Sequence, residues 1–165
     1  MVDCETLGDI EGRLKELGAS LEEEAYEEDI YYAHPSRSMM ATDEAVRLRR
    51  KAERRILAYK GPRKRGAYKA RTEIEVECHG PIEELLEKLG FKPAIIVRKN
   101  RKYYRLGEAM VTLDKVENLG CFIEIEAPTG EVVEDTRSRL QVKGREVLET
   151  YVELLASKLW EARSS

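Results

Sequence analysis

Residues 45–51 read Ala-Val-Arg-Leu-Arg-Arg-Lys, and their alternation decides how the rest of the chain is read. In an extended strand, residues two apart point to the same side. Arg47, Arg49 and Lys51 therefore share one face, with Val46 and Leu48 on the other. The pattern recurs further on with the sign of charge changing along it. Lys69, Arg71, Glu73, Glu75 and Glu77 share a face, backed by Ala70, Ile74 and Val76. Lys99, Arg101 and Tyr103 share another; Glu124 and Glu126 share a fourth, backed by Ile123 and Ile125, and Asp114 falls on the strand before them. One charged face is simply the solvated side of an antiparallel sheet. Here the signs are segregated, and like charges side by side repel unless something neutralises them. Arg and Lys pairs suit phosphate oxygens, and carboxylate pairs suit a hard divalent cation. A phosphate chain carrying its metal needs both at once.

Composition agrees with a local anion site. Between Arg47 and Arg71 there are twelve Lys or Arg and one acid, Glu53, in a chain whose net charge is −3. A pI near 5.7 and the carboxylate strands disfavour RNA, since a general nucleic-acid binder is usually basic throughout. At 165 residues, 42% hydrophobic and 37% charged, the chain reads as a single domain spanning residues 1–165. No apolar run approaches the roughly 20 residues that span a bilayer, and Met1-Val2-Asp3-Cys4-Glu5 lacks the apolar core of a signal peptide. Cys4, Cys78 and Cys121 are odd in number and never spaced as CxxC, and there are two histidines. Neither a structural zinc site nor a disulfide scaffold is expected, a reducing cytoplasm fits, and Cys121 reads as a small buried apolar residue.

Periodicity supplies the elements. Leu7, Ile10, Leu14 and Leu17 predict a helix over 5–17 stopped by Gly18, and Pro81 opens a second through Leu85, Leu86 and Leu89, stopped by Gly90. Strands are expected over 21–32, 45–51, 54–60, 67–78, 94–106, 109–116 and 121–127, with a turn at 61–66. Leu148, Val152, Leu155 and Leu159 predict one long closing helix from about 138 to 162, anchored by Trp160. There is also an internal repeat. A shift of 72 positions lays Ile10, Glu11, Leu14, Leu17, Gly18, Tyr31 and Tyr32 on Ile82, Glu83, Leu86, Leu89, Gly90, Tyr103 and Tyr104. Each copy is a helix, a glycine stop and a strand ending in Tyr-Tyr. The second copy is preceded by a strand, Arg71–Glu77; the counterpart in the first copy would fall at and before Met1, so the chain reads as starting one strand late.

These pieces, in this order, resemble the CYTH superfamily of class IV adenylyl cyclases and thiamine triphosphatases, also called triphosphate tunnel metalloenzymes. The resemblance runs through Leu17-Gly18-Ala19, Glu28-Asp29-Ile30-Tyr31-Tyr32, Val46-Arg47-Leu48-Arg49, Tyr59-Lys60-Gly61-Pro62 and Lys69–Glu75. It continues through Lys99-Asn100-Arg101, Val111-Thr112-Leu113-Asp114, Leu119–Glu126 and Tyr151-Val152-Glu153-Leu154-Leu155, covering about residues 9 to 155. The Lys-Gly-Pro and Leu-Gly-x-Phe-x-Glu-Ile-Glu pieces are similar to the class IV cyclase branch.

What the resemblance implies is an α+β fold, an antiparallel eight-stranded β-barrel forming a triphosphate tunnel, with charged faces inward and helices outside. Arg47, Arg49, Lys60, Lys99 and Arg101 would hold the triphosphate, with Arg71 a further candidate. Glu124 and Glu126, with Asp114, would coordinate Mg²⁺ or Mn²⁺, and Glu73 and Glu75 could complete the metal shell. No catalytic base is identifiable. The implied partner is a small-molecule triphosphate, with neither membrane nor nucleic acid, for a cytoplasmic monomer or homodimer. The implied activity is cyclisation of ATP to cyclic AMP and pyrophosphate, or hydrolysis of thiamine triphosphate, a nucleoside triphosphate or tripolyphosphate. One departure stands out. The family's Glu-x-Glu-x-Lys on its first strand is absent from Met1–Thr6, so that strand is expected to be missing or truncated. A polyphosphate-binding module with little activity is the alternative that this departure favours.

Overall fold

The computed structural model describes residues 1–63 and 71–164. In chain order the elements are α1 (Thr6–Glu16), β1 (Ser20–Ala33), β2 (Ala45–Lys51), β3 (Arg54–Lys60), β4 (Glu73–Cys78), α2 (Ile82–Lys88), β5 (Lys92–Leu106), β6 (Ala109–Val116), β7 (Gly120–Glu126), α3 (Gly130–Leu140) and α4 (Tyr151–Ser164). The expected strands are all present, β2, β3 and β6 with the bounds that the sequence gives. Residues 64–70 lie outside the described residues, and with them the end of the expected turn and the start of the strand expected over 67–78.

The barrel expectation is corrected. Among the described residues the strands form a seven-stranded antiparallel sheet in the order β4-β3-β2-β1-β5-β6-β7, which is not closed, so β4 and β7 are its edges. Beyond these strands Val2 makes an isolated antiparallel bridge to Cys121 of β7, its N–H donating to the Cys121 carbonyl at 2.9 Å. One bridge cannot close a ladder, since closure requires pairing along the whole edge.

The chain divides into two compact units, one from residues 1–26 and 99–154, the other from 27–98 and 155 onward. In the first, Ile10 and Leu14 of α1 pack with Tyr104 and Leu106 of β5, Val111 and Leu113 of β6, and Leu140 of α3. In the second, Ile82 and Leu86 of α2 pack with Ile30 and Tyr32 of β1 and Leu48 of β2. The 72-residue repeat therefore has a physical counterpart. Equivalent helix residues meet equivalent tyrosines, but each helix covers the strand of the other copy: α1 meets Tyr104, and α2 meets Tyr32. Both helices stop as the sequence predicts. Gly18 (φ 78°) and Gly90 (φ 89°) take the left-handed conformation that lets Ala19 N–H reach the Leu14 carbonyl and Phe91 N–H reach that of Leu86.

Two further expectations fail. The single closing helix is two helices, because Gln141 at φ 51° caps α3, its N–H and that of Val142 donating to the Ser138 and Arg137 carbonyls. α4 then starts afresh with a capping box. Thr150 Oγ1 accepts from Glu153 N–H at 3.4 Å, while the Glu153 carboxylate accepts from Thr150 N–H at 2.6 Å. Trp160 is 75% exposed and so does not anchor that helix by burial. The cysteine expectation fails as well: Cys4 and Cys121, 117 residues apart, form a disulfide, and only Cys78 is free. Spacing could not show this pair, because the Val2–Cys121 bridge is what brings the segments together. Among the described residues no helix is long and apolar enough to cross a membrane.

Candidate functional site

Each unit carries one strongly charged sheet face. In the second unit, β1 contributes Glu27, Asp29 and Tyr31, whose register partners on β2 are Lys51, Arg49 and Arg47. Asp29 and Arg49 form a two-pronged pair, Nε to Oδ1 at 2.7 Å and Nη2 to Oδ2 at 2.8 Å. Glu27, fully buried, takes Arg49 at 3.3 Å and Lys51 at 3.5 Å. Arg47 extends past Ala58, its partner on β3, to donate to Glu75 of β4 at 2.7 Å. Lys60 donates to Glu73 at 2.8 Å, and Arg71 donates to the same carboxylate at 3.1 Å. Burial, reinforced by the Arg47 charge, lowers the Lys60 pKa, against the pull of Glu73.

In the first unit the guanidinium of Arg101 is the centre. Its Nε donates to Asp114 Oδ1 at 2.6 Å, and its Nη2 donates both to Asp114 Oδ2 and to Glu124 Oε2, the latter at 2.7 Å. The Tyr151 hydroxyl donates to Asp114 Oδ2 at 2.7 Å, its ring lies against Phe122 with centroids 4.8 Å apart, and Lys99 Nζ sits 5.6 Å from that ring. Burial raises the Asp114 carboxyl. Glu124 is lowered: burial opposes ionisation there, but Arg101, the Tyr151 hydroxyl and Lys99 outweigh it. Burial, then the charges of Glu124 and Asp114, push the Tyr151 phenol far above its ordinary value, so it stays a donor.

The two faces are charge-inverted copies. The repeat aligns Asp29 with Arg101, and each pairs with the register partner opposite it, Asp29 with Arg49 and Arg101 with Asp114. An acid on the long strand and an arginine on its neighbour have exchanged places.

Of the residues that the sequence proposes, Arg47, Lys60, Lys99, Arg101 and Asp114 are buried, and Arg49 nearly so. That is unusual for ions and costly unless they are paired or serve a ligand. The carboxylates proposed for a metal are not gathered. Asp114 and Glu124 meet on Arg101, Glu73 and Glu75 face cations of β2 and β3, and Glu126 is exposed at the end of β7. Among the described residues no three His, Cys, Asp or Glu side chains form a metal-holding group. Sequence reasoning missed Glu27, Asp29 and the role of Tyr151. The alternation Glu27-x-Asp29-x-Tyr31, aligned by the repeat with Lys99-x-Arg101-x-Tyr103, carried the signal for the first two.

Fold and face together define a protein with a β-sheet that buries paired cations and carboxylates. The CYTH domain matches residues 1–154, and the chain belongs to that family. It is 33% identical over 145 residues to MJ0240 of Methanocaldococcus jannaschii, a protein provisionally named an adenylate cyclase, covering 87% of this chain and 78% of that one. Among solved structures, PH1819 from Pyrococcus horikoshii is 38% identical with a TM-score of 0.78, covering 92% of this chain and 94% of the other. HpAC1 from Hippeastrum, described as an adenylyl cyclase candidate with a dominant triphosphatase activity, shares the fold at 14% identity and a TM-score of 0.72, over 96% of this chain and 92% of its own.

Proposed function

We propose that the chain binds an organic or inorganic triphosphate and acts on it, in the manner of a class IV adenylyl cyclase or of a triphosphatase. The observation that carries this reading is the burial of Arg47, Lys60, Lys99 and Arg101, all under 10% exposed, on sheet faces in a CYTH chain. In the second unit Arg47, Lys60 and Arg71 take phosphate oxygens most readily, because their present partners, Glu73 and Glu75, are 39% and 48% exposed and can turn out to water; in the first unit the buried Lys99 is the candidate. Arg49 and Arg101, each forked onto a buried aspartate, hold the neighbouring strands and contribute positive potential. Charge building on the phosphate chain in the transition state is then met by fixed cations, in a setting where water does not screen them.

A divalent cation fits this donor set only with help from the substrate. Mg²⁺ takes one or two carboxylates and completes its shell with phosphate oxygens. Within the first unit Glu124, 37% exposed, with Asp114 beside it on Arg101, would be the pair to hold such an ion. When bound, such an ion neutralises phosphate charge and fixes the chain's orientation. Tyr151 keeps its proton, so it positions Asp114 rather than acting as a base.

In the cyclase reaction the ribose 3′-hydroxyl attacks the α-phosphorus and pyrophosphate leaves; in the hydrolase, water attacks the terminal phosphorus and orthophosphate leaves. Phosphorus NMR of ATP and of tripolyphosphate incubated with the protein and Mg²⁺ or Mn²⁺ separates the two by product. Cyclic AMP with pyrophosphate supports the first and orthophosphate the second. Binding without turnover leaves a polyphosphate-binding module, and neither binding nor turnover rejects the proposal.

A further inference from the structure

Among the described residues, three buried side-chain atoms lack a hydrogen-bond partner: Glu27 Oε2, Arg47 Nε and Thr112 Oγ1. Glu27 Oε2 still has Arg49 Nη2 at 3.3 Å as an ion partner. The other two occupy the same place in the repeat. Tyr31 faces Arg47 across the β1–β2 ladder, and its repeat counterpart Tyr103 faces Thr112 across the β5–β6 ladder. One step along, the matching pairs are Asp29 with Arg49 and Arg101 with Asp114. Thr112 is thus the first unit's equivalent of Arg47, and both units leave a buried polar atom open at that position.

Thr112 is only 3% exposed and lies two residues from Asp114, on the same side of β6, with Glu124 opposite it on β7. The adjacent strand brings Tyr103, over whose ring Arg101 lies at 5.6 Å. A buried hydroxyl without a partner destabilises a fold, and valine would fill the same volume without that cost. A threonine here makes sense if something other than the protein supplies its partner. Arg101, two residues along β5 from the facing Tyr103, brings the positive charge to this place, beside the Asp114 and Glu124 carboxylates that it pairs with.

We propose that Thr112 is a binding residue whose hydroxyl donates a hydrogen bond to an oxygen of the phosphate chain on the first unit's charged face. The assignment rests on the triphosphate reading above and adds a neutral donor to it. Such a donor adds directionality, where Lys99 supplies charge alone.

The test compares the wild type, Thr112→Val and Thr112→Ser by calorimetric titration with tripolyphosphate, with and without Mg²⁺, and by thermal unfolding of the ligand-free proteins. Thr112→Val is expected to weaken tripolyphosphate binding about tenfold, the loss of one hydrogen bond to a charged acceptor. It should also raise the ligand-free melting temperature by about 2–4 °C, since it removes an unsatisfied buried hydroxyl. Thr112→Ser keeps the hydroxyl and should bind within about twofold of wild type. These opposite signs distinguish a binding hydroxyl from a structural one. A lower melting temperature for Thr112→Val, or an affinity unchanged from a wild type that does bind, overturns the assignment alone. A wild type that binds no tripolyphosphate overturns the triphosphate reading and this assignment with it.

Discussion

Replacing Asp114 with asparagine should be among the most damaging single changes in the chain. Asp114 is fully buried and accepts from three donor atoms: two of the Arg101 guanidinium and the Tyr151 hydroxyl. Asparagine keeps the shape but removes the charge and turns one acceptor into a donor facing a donor. Arg101, 7% exposed, is left with Glu124 as its remaining carboxylate partner. Breaking one side of a buried pair costs about 3–5 kcal/mol, and with Glu124 still in place the lower end applies, about 3 kcal/mol. For a chain of this size that is a fall of roughly 6–12 °C in melting temperature. Glu77→Gln is the control: its pair with Arg54 is 41% and 56% exposed, and such a solvated pair contributes little to stability. Urea unfolding followed by far-UV circular dichroism measures both, together with the apolar pair Arg101→Met/Asp114→Leu. That double variant should be more stable than the sum of its single changes, because neither Arg101 nor Asp114 is then left buried without the other, and Glu124 loses Arg101 in the Arg101→Met single change as well. An Asp114→Asn variant as stable as Glu77→Gln, or a double variant as poor as the sum, would refute the argument.

Three smaller outcomes follow from particular residues. Ala52 sits at φ 49° in the two-residue turn between Lys51 and Arg54, so Ala52→Gly should stabilise by about 0.5–1 kcal/mol in thermal unfolding. Glu11 accepts from Tyr104 at 2.7 Å and from Lys102 at 3.0 Å, and these bonds hold its pKa at about 2, below the ordinary 4.5. Because the folded pKa is the lower one, the stabilisation is complete above 4.5 and fades as pH falls toward 2. Glu11→Gln should therefore cost about 1 kcal/mol at pH 7 and almost nothing near pH 2, read from urea midpoints. Cys4→Ser opens a link between residues 117 apart and should cost about 3–5 kcal/mol, and wild type under dithiothreitol should unfold at the same denaturant concentration.

Period-two alternation and glycine stops made the elements legible, and the 72-residue repeat announced the two halves. That each helix covers the other copy's strand was not legible, because periodicity says which face of α1 is apolar but not which strand meets it. Closure was not legible either. The charged faces of β2, β5 and β7 read alike in an open sheet and in a barrel, and only pairing along the edge decides between them. Within the site, the cations were found because Arg-x-Arg and Lys-x-Arg put like charges side by side. Glu27 and Asp29 were passed over because Glu28 and the glutamates at 22–24 blur the alternation into an acidic run. Tyr151 joined the cluster from a helix, where no strand alternation could place it. The break at Gln141 left no sequence signal, whereas Thr150-x-x-Glu153 was a readable helix start inside the supposed closing helix.

Tripolyphosphate with Mg²⁺ is titrated into the wild type, Arg47→Ala and Glu75→Gln and followed by calorimetry. Saturable binding by the wild type is expected. Arg47→Ala should bind about ten to a hundred times more weakly, the loss of charge-assisted bonds to phosphate. Glu75→Gln should bind as tightly as wild type or more so, because it frees the Arg47 guanidinium from a carboxylate now 2.7 Å away. No heat and no change in melting temperature for the wild type at any Mg²⁺ concentration would contradict the claim that these buried cations exist to hold a phosphate chain.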